Sequence, residues 1–208
     1  MLRLFPVFSP ILFLLITFIT GFITPGYSHL KHTISRLAIE KYGFIQQMNF
    51  FQFGIGMYLT GKLFASSLKL KNSRSYIRKF YNFCSILLVL AAIIPADPIE
   101  NAKFSLSLLT PFGLVHILIV VLFVVLSPFC IKRIYEIFKS EKHYNRLSGF
   151  TIFMGISTLL MCIVWFLFFF REIYFDYRGL FQKIITLWSF CWIIVVNWNT
   201  LRYTANAK

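Results

Sequence analysis

Apolar residues run along the chain in six blocks, divided by short polar links. Continuous runs of this length, without strand-like alternation, predict helices. The blocks cover residues 5–24, 44–68, 80–95, 108–131, 150–170 and 181–200. A helix needs about 20 mainly apolar residues to cross a hydrocarbon core. Only helices and closed barrels satisfy their own backbone groups there. The predicted fold is therefore all-α, a polytopic six-transmembrane-helix bundle, with residues 1–208 forming a single integral membrane domain. No period of 20–50 residues recurs, so no repeat architecture is expected.

Composition supports this reading. Hydrophobic residues make up 58% of the 208 residues and charged residues 13%, with a mean hydropathy of +0.74. A soluble domain carries about 25% charged residues. A soluble enzyme, a disordered chain and a disulfide scaffold are excluded on these numbers. The apolar N-terminus follows Arg3 but shows no A-x-A-like cleavage site, so it reads as an uncleaved first helix.

The charge adds orientation. Net charge is +14, from 21 Lys and Arg against 7 Asp and Glu. The cations sit in short links between apolar runs rather than on a soluble face, which argues against nucleic acid as a partner. One side of the bundle holds Arg3, Lys62, Lys69, Lys71, Arg74, Arg78, Lys79, Lys132, Arg133, Lys139, Lys142, Arg146, Arg202 and Lys208. The other holds Lys31, Arg36, Lys41, Lys103, Arg171, Arg178 and Lys183, with five of the seven acids. The positive-inside rule then places both termini in the cytoplasm, in a multi-pass protein of the cell (inner or plasma) membrane. The expected partners are the lipid bilayer and, at the basic cytoplasmic loops, anionic lipid headgroups.

Candidate chemistry lies in polar residues that a bilayer makes costly. The second block carries Gln46, Asn49, Gly56 and Thr60 on one helical stripe, with Gln52 at its margin. Such a stripe must face other helices or a wet cavity. Gly54 and Gly61, seven apart, would permit close helix contact. Asp97 closes the third block between Pro95 and Pro98, and His116 lies inside the fourth. The link before the second block holds Ser28, His29, His32 and Ser35, and is expected to form a short interfacial helix or a re-entrant segment. All these groups, with Glu100, fall on the non-cytoplasmic side. His29 and His32 at i,i+3, with Asp97 and His116, are the candidate metal ligands, for zinc or another divalent ion. Asp97 and His116 are also the candidate catalytic pair. The favoured alternative is structural, with Asp97 capping a turn and pairing with a loop cation, and His116 bonded to a neighbouring helix. No recognised zinc or triad spacing is present, and no cofactor is predicted. Cys84, Cys130, Cys162 and Cys191 are unpaired in spacing and read as packing residues.

Several of these residues form a familiar pattern. His32-Thr33-Ile34-Ser35-x-Leu37, after Pro25-Gly26-Tyr27-Ser28, resembles the first extramembrane loop of a family of small six-helix bacterial and archaeal membrane proteins. That family is known as a domain of unknown function and is similar in layout to the Frag/DRAM/Sfk group. Asn49 and Gly54 continue the resemblance, as do Pro95-x-Asp97, similar to the family's F-P-x-D, and Gly113-x-x-His116. Ile94 stands where the family usually has Phe. The resemblance implies an architecture and marked positions at Ser35, Asn49, Asp97 and His116. It implies no activity.

Three functions follow as expectations. The first is a non-enzymatic membrane protein with an outward-facing polar pocket at the outer ends of the second to fourth helices. Ser35, Gln46, Asn49, Asp97 and His116 would bind a lipid headgroup, a small ligand or a partner there. The second is a metal-assisted membrane hydrolase acting on a lipid. The third is a small transporter, for which the apolar lower halves of the helices offer no relay. The lack of recognised catalytic spacing favours the first.

Overall fold

A computed structural model describes residues 3–97, 109–171 and 175–206, without the side chains of 125–129, 168–171 and 175. Glu100, Lys103, Glu172 and the Arg171 side chain lie outside the described residues. Every described regular element is helical: α1 (Phe5–Ile23), α2 (Ile34–Leu37), α3 (Gly43–Ser67), α4 (Lys71–Ile93), α5 (Pro111–Ser140), α6 (Asn145–Arg171) and α7 (Arg178–Asn206). The six long helices correspond one for one to the six apolar blocks, and α2 is a single turn in the first link.

The ends differ most on the basic side. The third block was expected from residue 80, yet α4 starts at Lys71. The fourth was expected to end at 131, yet α5 runs to Ser140. On the same side α6 begins five residues early and α7 runs six residues past 200. At the other end of the bundle the shifts are smaller: α5 starts at Pro111 rather than 108, and α7 at Arg178 rather than 181. Lys and Arg are good helix formers. Their helices therefore continue into water past the point where hydropathy falls, and hydropathy alone cannot see the extension.

Among the described residues, four helices are long and apolar enough to cross a membrane: α1, α4, α6 over Asn145–Leu167, and α7. The described apolar stretch of α5, Pro111–Val124, is shorter, and α3 is too polar to qualify. Around a hydrophobic core, the exterior is apolar and several polar side chains lie inside. Phe8, Ile19, Phe22, Phe44, Ile93 and Leu160 are exposed, while Ser9, Thr17, Gln46, Asn49, Thr60, Asn197 and Thr200 are buried. An apolar exterior over a polar-laced interior is what lipid surroundings require. The molecule is a membrane helical bundle.

Neighbouring long helices in the chain pack together, and α7 closes the ring onto α1. α3 also touches α7, and its Phe64 ring packs on Phe138 of α5 with centroids 5.1 Å apart. Its glycines explain how it sits so close to α4 and α1. A methyl group on Gly61 would overlap Tyr81 of α4, and one on Gly54 would press on Val89 Cγ2 at 3.0 Å. Gly56 faces the other way, where a methyl would overlap Ser9 of α1. Small residues let helices approach in membranes where burial from water gives no drive.

The polar stripe of α3 is a seam. Asn49 Nδ2 donates to Phe13 O at 2.9 Å and to Thr17 Oγ1 at 3.2 Å, and Thr17 Oγ1 donates to Gln46 Oε1 at 3.2 Å. Gln52 Nε2 reaches Ser9 O at 3.3 Å. Farther along, Asn197 Nδ2 donates to Pro6 O at 2.9 Å and to Thr60 Oγ1 at 3.1 Å. Pro10 lacks the N–H that would normally bond the carbonyl four residues earlier. That carbonyl is Pro6 O, so Asn197 of α7 fills a vacancy that α1 creates in itself.

Two ends can now be told apart. The basic end gathers the start of α1, the α3–α4 and α5–α6 links and the end of α7. There the Tyr144 hydroxyl lies 2.6 Å from both Ser67 Oγ and Thr200 Oγ1, joining three parts of the fold. Lys69 N donates to Glu141 Oε1 at 2.8 Å, which satisfies an amide that the break between α3 and α4 would orphan. The far end gathers the long link 24–42, the α4–α5 link and the α6–α7 link.

Candidate functional site

At the far end the link 24–42 lies across the bundle mouth, held by donors that seek its carbonyls. Tyr27 Oη lies 3.1 Å from both His32 O and Thr33 O. Arg178 Nε donates to Lys31 O at 3.0 Å and Leu180 N to Leu30 O at 3.0 Å. Lys183 Nζ, on a residue 4% exposed, donates to His32 O at 2.8 Å and His29 O at 3.1 Å. A side chain on Gly179 would overlap the His32 backbone, so only glycine allows this approach. Thr33 caps the single turn of α2, accepting from Arg36 N at 3.3 Å. Gln182 Oε1 of α7 accepts from Ile34 N at 2.8 Å. These contacts set Ser35 and Arg36 under the mouth.

Asp97 holds the start of α5. Its Oδ2 accepts from Thr110 N and its Oδ1 from Thr110 Oγ1, each at 2.7 Å. Thr110 in turn accepts from Gly113 N at 3.1 Å, as an N-cap does. Thr110 thus gives α5 its cap, and a carboxylate beside the helix N-terminus suits the dipole. His116, 3% exposed, has Nδ1 2.7 Å from Ile94 O at the end of α4. A carbonyl only accepts, so Nδ1 donates and Nε2 of the neutral ring is left as an acceptor. Nε2 has no partner among the described residues. Asp97 and His116 do not hydrogen-bond each other.

Two adjoining cavities lie beneath the link. One, of about 100 Å³, is bordered by Ser35, Arg36, Asp97, His116, Arg178 and Gln182, with apolar atoms of α5 and α6. The other, of about 130 Å³, lies at the bundle axis and draws its lining from all seven helices. Its walls are apolar, among them Phe53, Leu88, Ile119 and Phe190. Ser35, Val120, Trp165 and Gln182 border both. Trp165 Nε1 donates to Arg178 O at 3.1 Å, fixing the indole between them.

The sequence candidates therefore separate. Ser35, Asp97 and His116 border one cavity. Gln46 and Asn49 do not; they are spent on the α1–α3 seam. The polar cavity is lined from α2, α5, α6 and α7, with Ala96, Asp97 and Leu109 of the α4–α5 link, and α3 reaches only the apolar chamber, through Phe50 and Phe53. His29 packs among Phe18, Phe22 and Tyr27, with ring centroids 4.6–5.3 Å apart. His32 Nδ1 accepts from Ser28 N at 3.0 Å. Burial lowers both imidazole pKa values, helped by Lys183 at His29 and by Arg36 and Arg178 at His32. Both rings are thus neutral at neutral pH. Among the described residues, no three His, Cys, Asp or Glu side chains gather as a metal site would need.

Arg36, Gln182 and Lys183 escaped sequence reasoning as site residues, and Arg178 stood out only as part of a mixed-sign link that could close over the mouth. Gln182 and Lys183 carried a visible signal, since both lie just inside the sixth apolar block. Arg36 and Arg178 look like ordinary link cations in sequence, and Arg178 is only 7% exposed in the fold. No curated protein and no solved structure matches the chain. The model of the family described as Protein of unknown function (DUF998) matches residues 7–199, and the chain belongs to that family.

Proposed function

We propose that this protein is a six-span binding protein for an amphiphile, with both termini cytoplasmic and the far end facing outward from the cytoplasmic membrane. The observation that carries this reading is the pair of adjoining chambers, one polar and one apolar, sharing Ser35, Val120, Trp165 and Gln182. A cavity of about 150 Å³ lined by aliphatic and aromatic side chains stays dry and takes apolar guests. The axial chamber is of that kind and suits a hydrocarbon segment. The polar chamber suits a headgroup. Arg178 favours negative charge there, with Arg36 beside it already paired with Glu40, and His116 Nε2 calls for a hydroxyl or ammonium donor.

Ser35, Asp97 and His116 serve the site in different ways. Asp97 fixes α5, and so the position of His116; Ser35 stands where the chambers meet. Gln46 and Asn49 hold α1 on α3 and act on the site through packing. Both Asp97 oxygens are occupied by Thr110, so the arrangement supports binding better than acid–base chemistry.

Native mass spectrometry of detergent-purified protein should show a retained amphiphile. Val120→Trp, which places an indole at the junction, should lose it while keeping its helical content. His116→Leu removes the bond to the ligand as well as the one to Ile94 O, and should weaken retention about three- to tenfold or more. Wild-type protein that emerges unliganded from every lipid environment tried would overturn the reading.

A further inference from the structure

A second recess opens at the opposite end of the bundle, and the far-end reading makes no use of it. It has a volume of about 660 Å³ and lies between the start of α1, the last turns of α3, the α3–α4 link and the end of α7. Arg3, Lys62, Lys69 and Arg74 border it, and no acid does. None of the four forms an ion pair with a described carboxylate. Arg74 is fixed in place, its Nε donating to Leu68 O at 2.6 Å. Lys62 stands over the Tyr58 ring, 4.6 Å from the centroid. Glu141, the acid bonded to the link, is 4% exposed and spends Oε1 on Lys69 N.

Four cations bordering one recess repel one another, and the nearest acid, Glu141, is spent on a backbone amide rather than on any of their side chains. The rest of the lining narrows the occupant. Pro6, Leu59, Leu63 and Leu68 make apolar wall, and Ser66 and Thr204 add hydroxyls. A soluble polyphosphate has no use for apolar wall. A phospholipid does, because its phosphate adjoins acyl ester groups at the depth where helices leave the hydrocarbon. Basic pockets between membrane helices hold lipid phosphates in this way.

We infer that this recess binds the phosphate headgroup of an anionic phospholipid from the leaflet at the basic end. Lys62 and Lys69 supply charge from the walls, and Arg74 is held ready by its bond to the link. The inference is independent of the amphiphile site, which lies at the other end and shares none of these residues.

The test uses the full chain in nanodiscs or mixed micelles, with phosphatidylglycerol and phosphatidylcholine as probes. Wild-type protein should prefer phosphatidylglycerol by about tenfold or more, read by native mass spectrometry or by the rise in melting temperature. The double variant Lys62→Glu, Lys69→Glu should lose that preference. Lys139→Glu with Lys142→Glu makes the same change in charge at the same end but outside the recess, and should keep it. Equal loss in both double variants would show diffuse attraction to a basic surface and overturn the inference. Equal protection by inorganic phosphate would overturn the lipid assignment. Should the recess variants fail to fold, Lys62→Gln alone in phosphatidylglycerol against phosphatidylcholine decides: an undiminished preference counts against the site. Retention of the far-end amphiphile in the same samples reports on the other site separately.

Discussion

Asp97 lies where a side chain at position 113 would be, and this explains Gly113. The carboxylate needs that space to reach Thr110, and Thr110 needs Gly113 N to complete its cap. Gly113→Ala should therefore lower the melting temperature in detergent, by the loss of a cap worth about 1 kcal/mol or more. Gly149 is the control: it is helical, exposed and has no atom near its missing methyl. Gly149→Ala should be neutral or stabilising, as alanine is favoured by about 0.5–1 kcal/mol in a helix. An equal effect at both positions would mean that Asp97 does not depend on the space at 113. The residue scale also shows what sequence can reveal about a site. Ser35, Asp97 and His116 stood out because polar groups at span ends are costly. Their roles stood out only in part: the structural reading bonded His116 to a neighbouring helix, where it meets Ile94 O, but which donor the aspartate meets depends on the fold.

At the scale of elements, α1 does not satisfy all of its own backbone. Pro10 deprives Pro6 O of its partner, and Asn197 supplies one from α7. Asn197→Leu should destabilise the protein, since side-chain hydrogen bonds between membrane helices are worth about 0.6 and up to about 1.7 kcal/mol. In a Pro10→Ala background α1 regains the missing N–H, and the same substitution should then cost less. The double-mutant cycle measures this coupling directly. An equal cost in both backgrounds would mean that Asn197 serves Thr60 alone. The stripe on α3 was legible from spacing: Gln46, Asn49 and Thr60 are all buried, and Gly54 and Gly61 meet α4. That the stripe meets α1 and α7, and is a seam rather than a cavity wall, was not legible. Periodicity gives the direction of a face around its own axis and says nothing of the neighbour opposite.

For the whole molecule, the division of charge between the two ends makes orientation testable. In a cysteine-free background, a membrane-impermeant maleimide should label Lys31→Cys on intact cells and leave Lys142→Cys unlabelled until the cells are opened. The reverse pattern would invert the bundle. The sequence by itself determined the helical class, the number of long helices and the end at which the cations gather. Those properties follow from local hydropathy and charge, which each residue carries wherever the chain goes. Tertiary structure alone decided that the link 24–42 crosses the far mouth, that Arg178 and Lys183 become buried beneath it, and that Ser35 and His116 share a cavity. It also decided that Arg3, Lys62, Lys69 and Arg74 meet in one recess. These pairings join residues as far as 154 positions apart, and only the packing of seven helices around one axis brings them together.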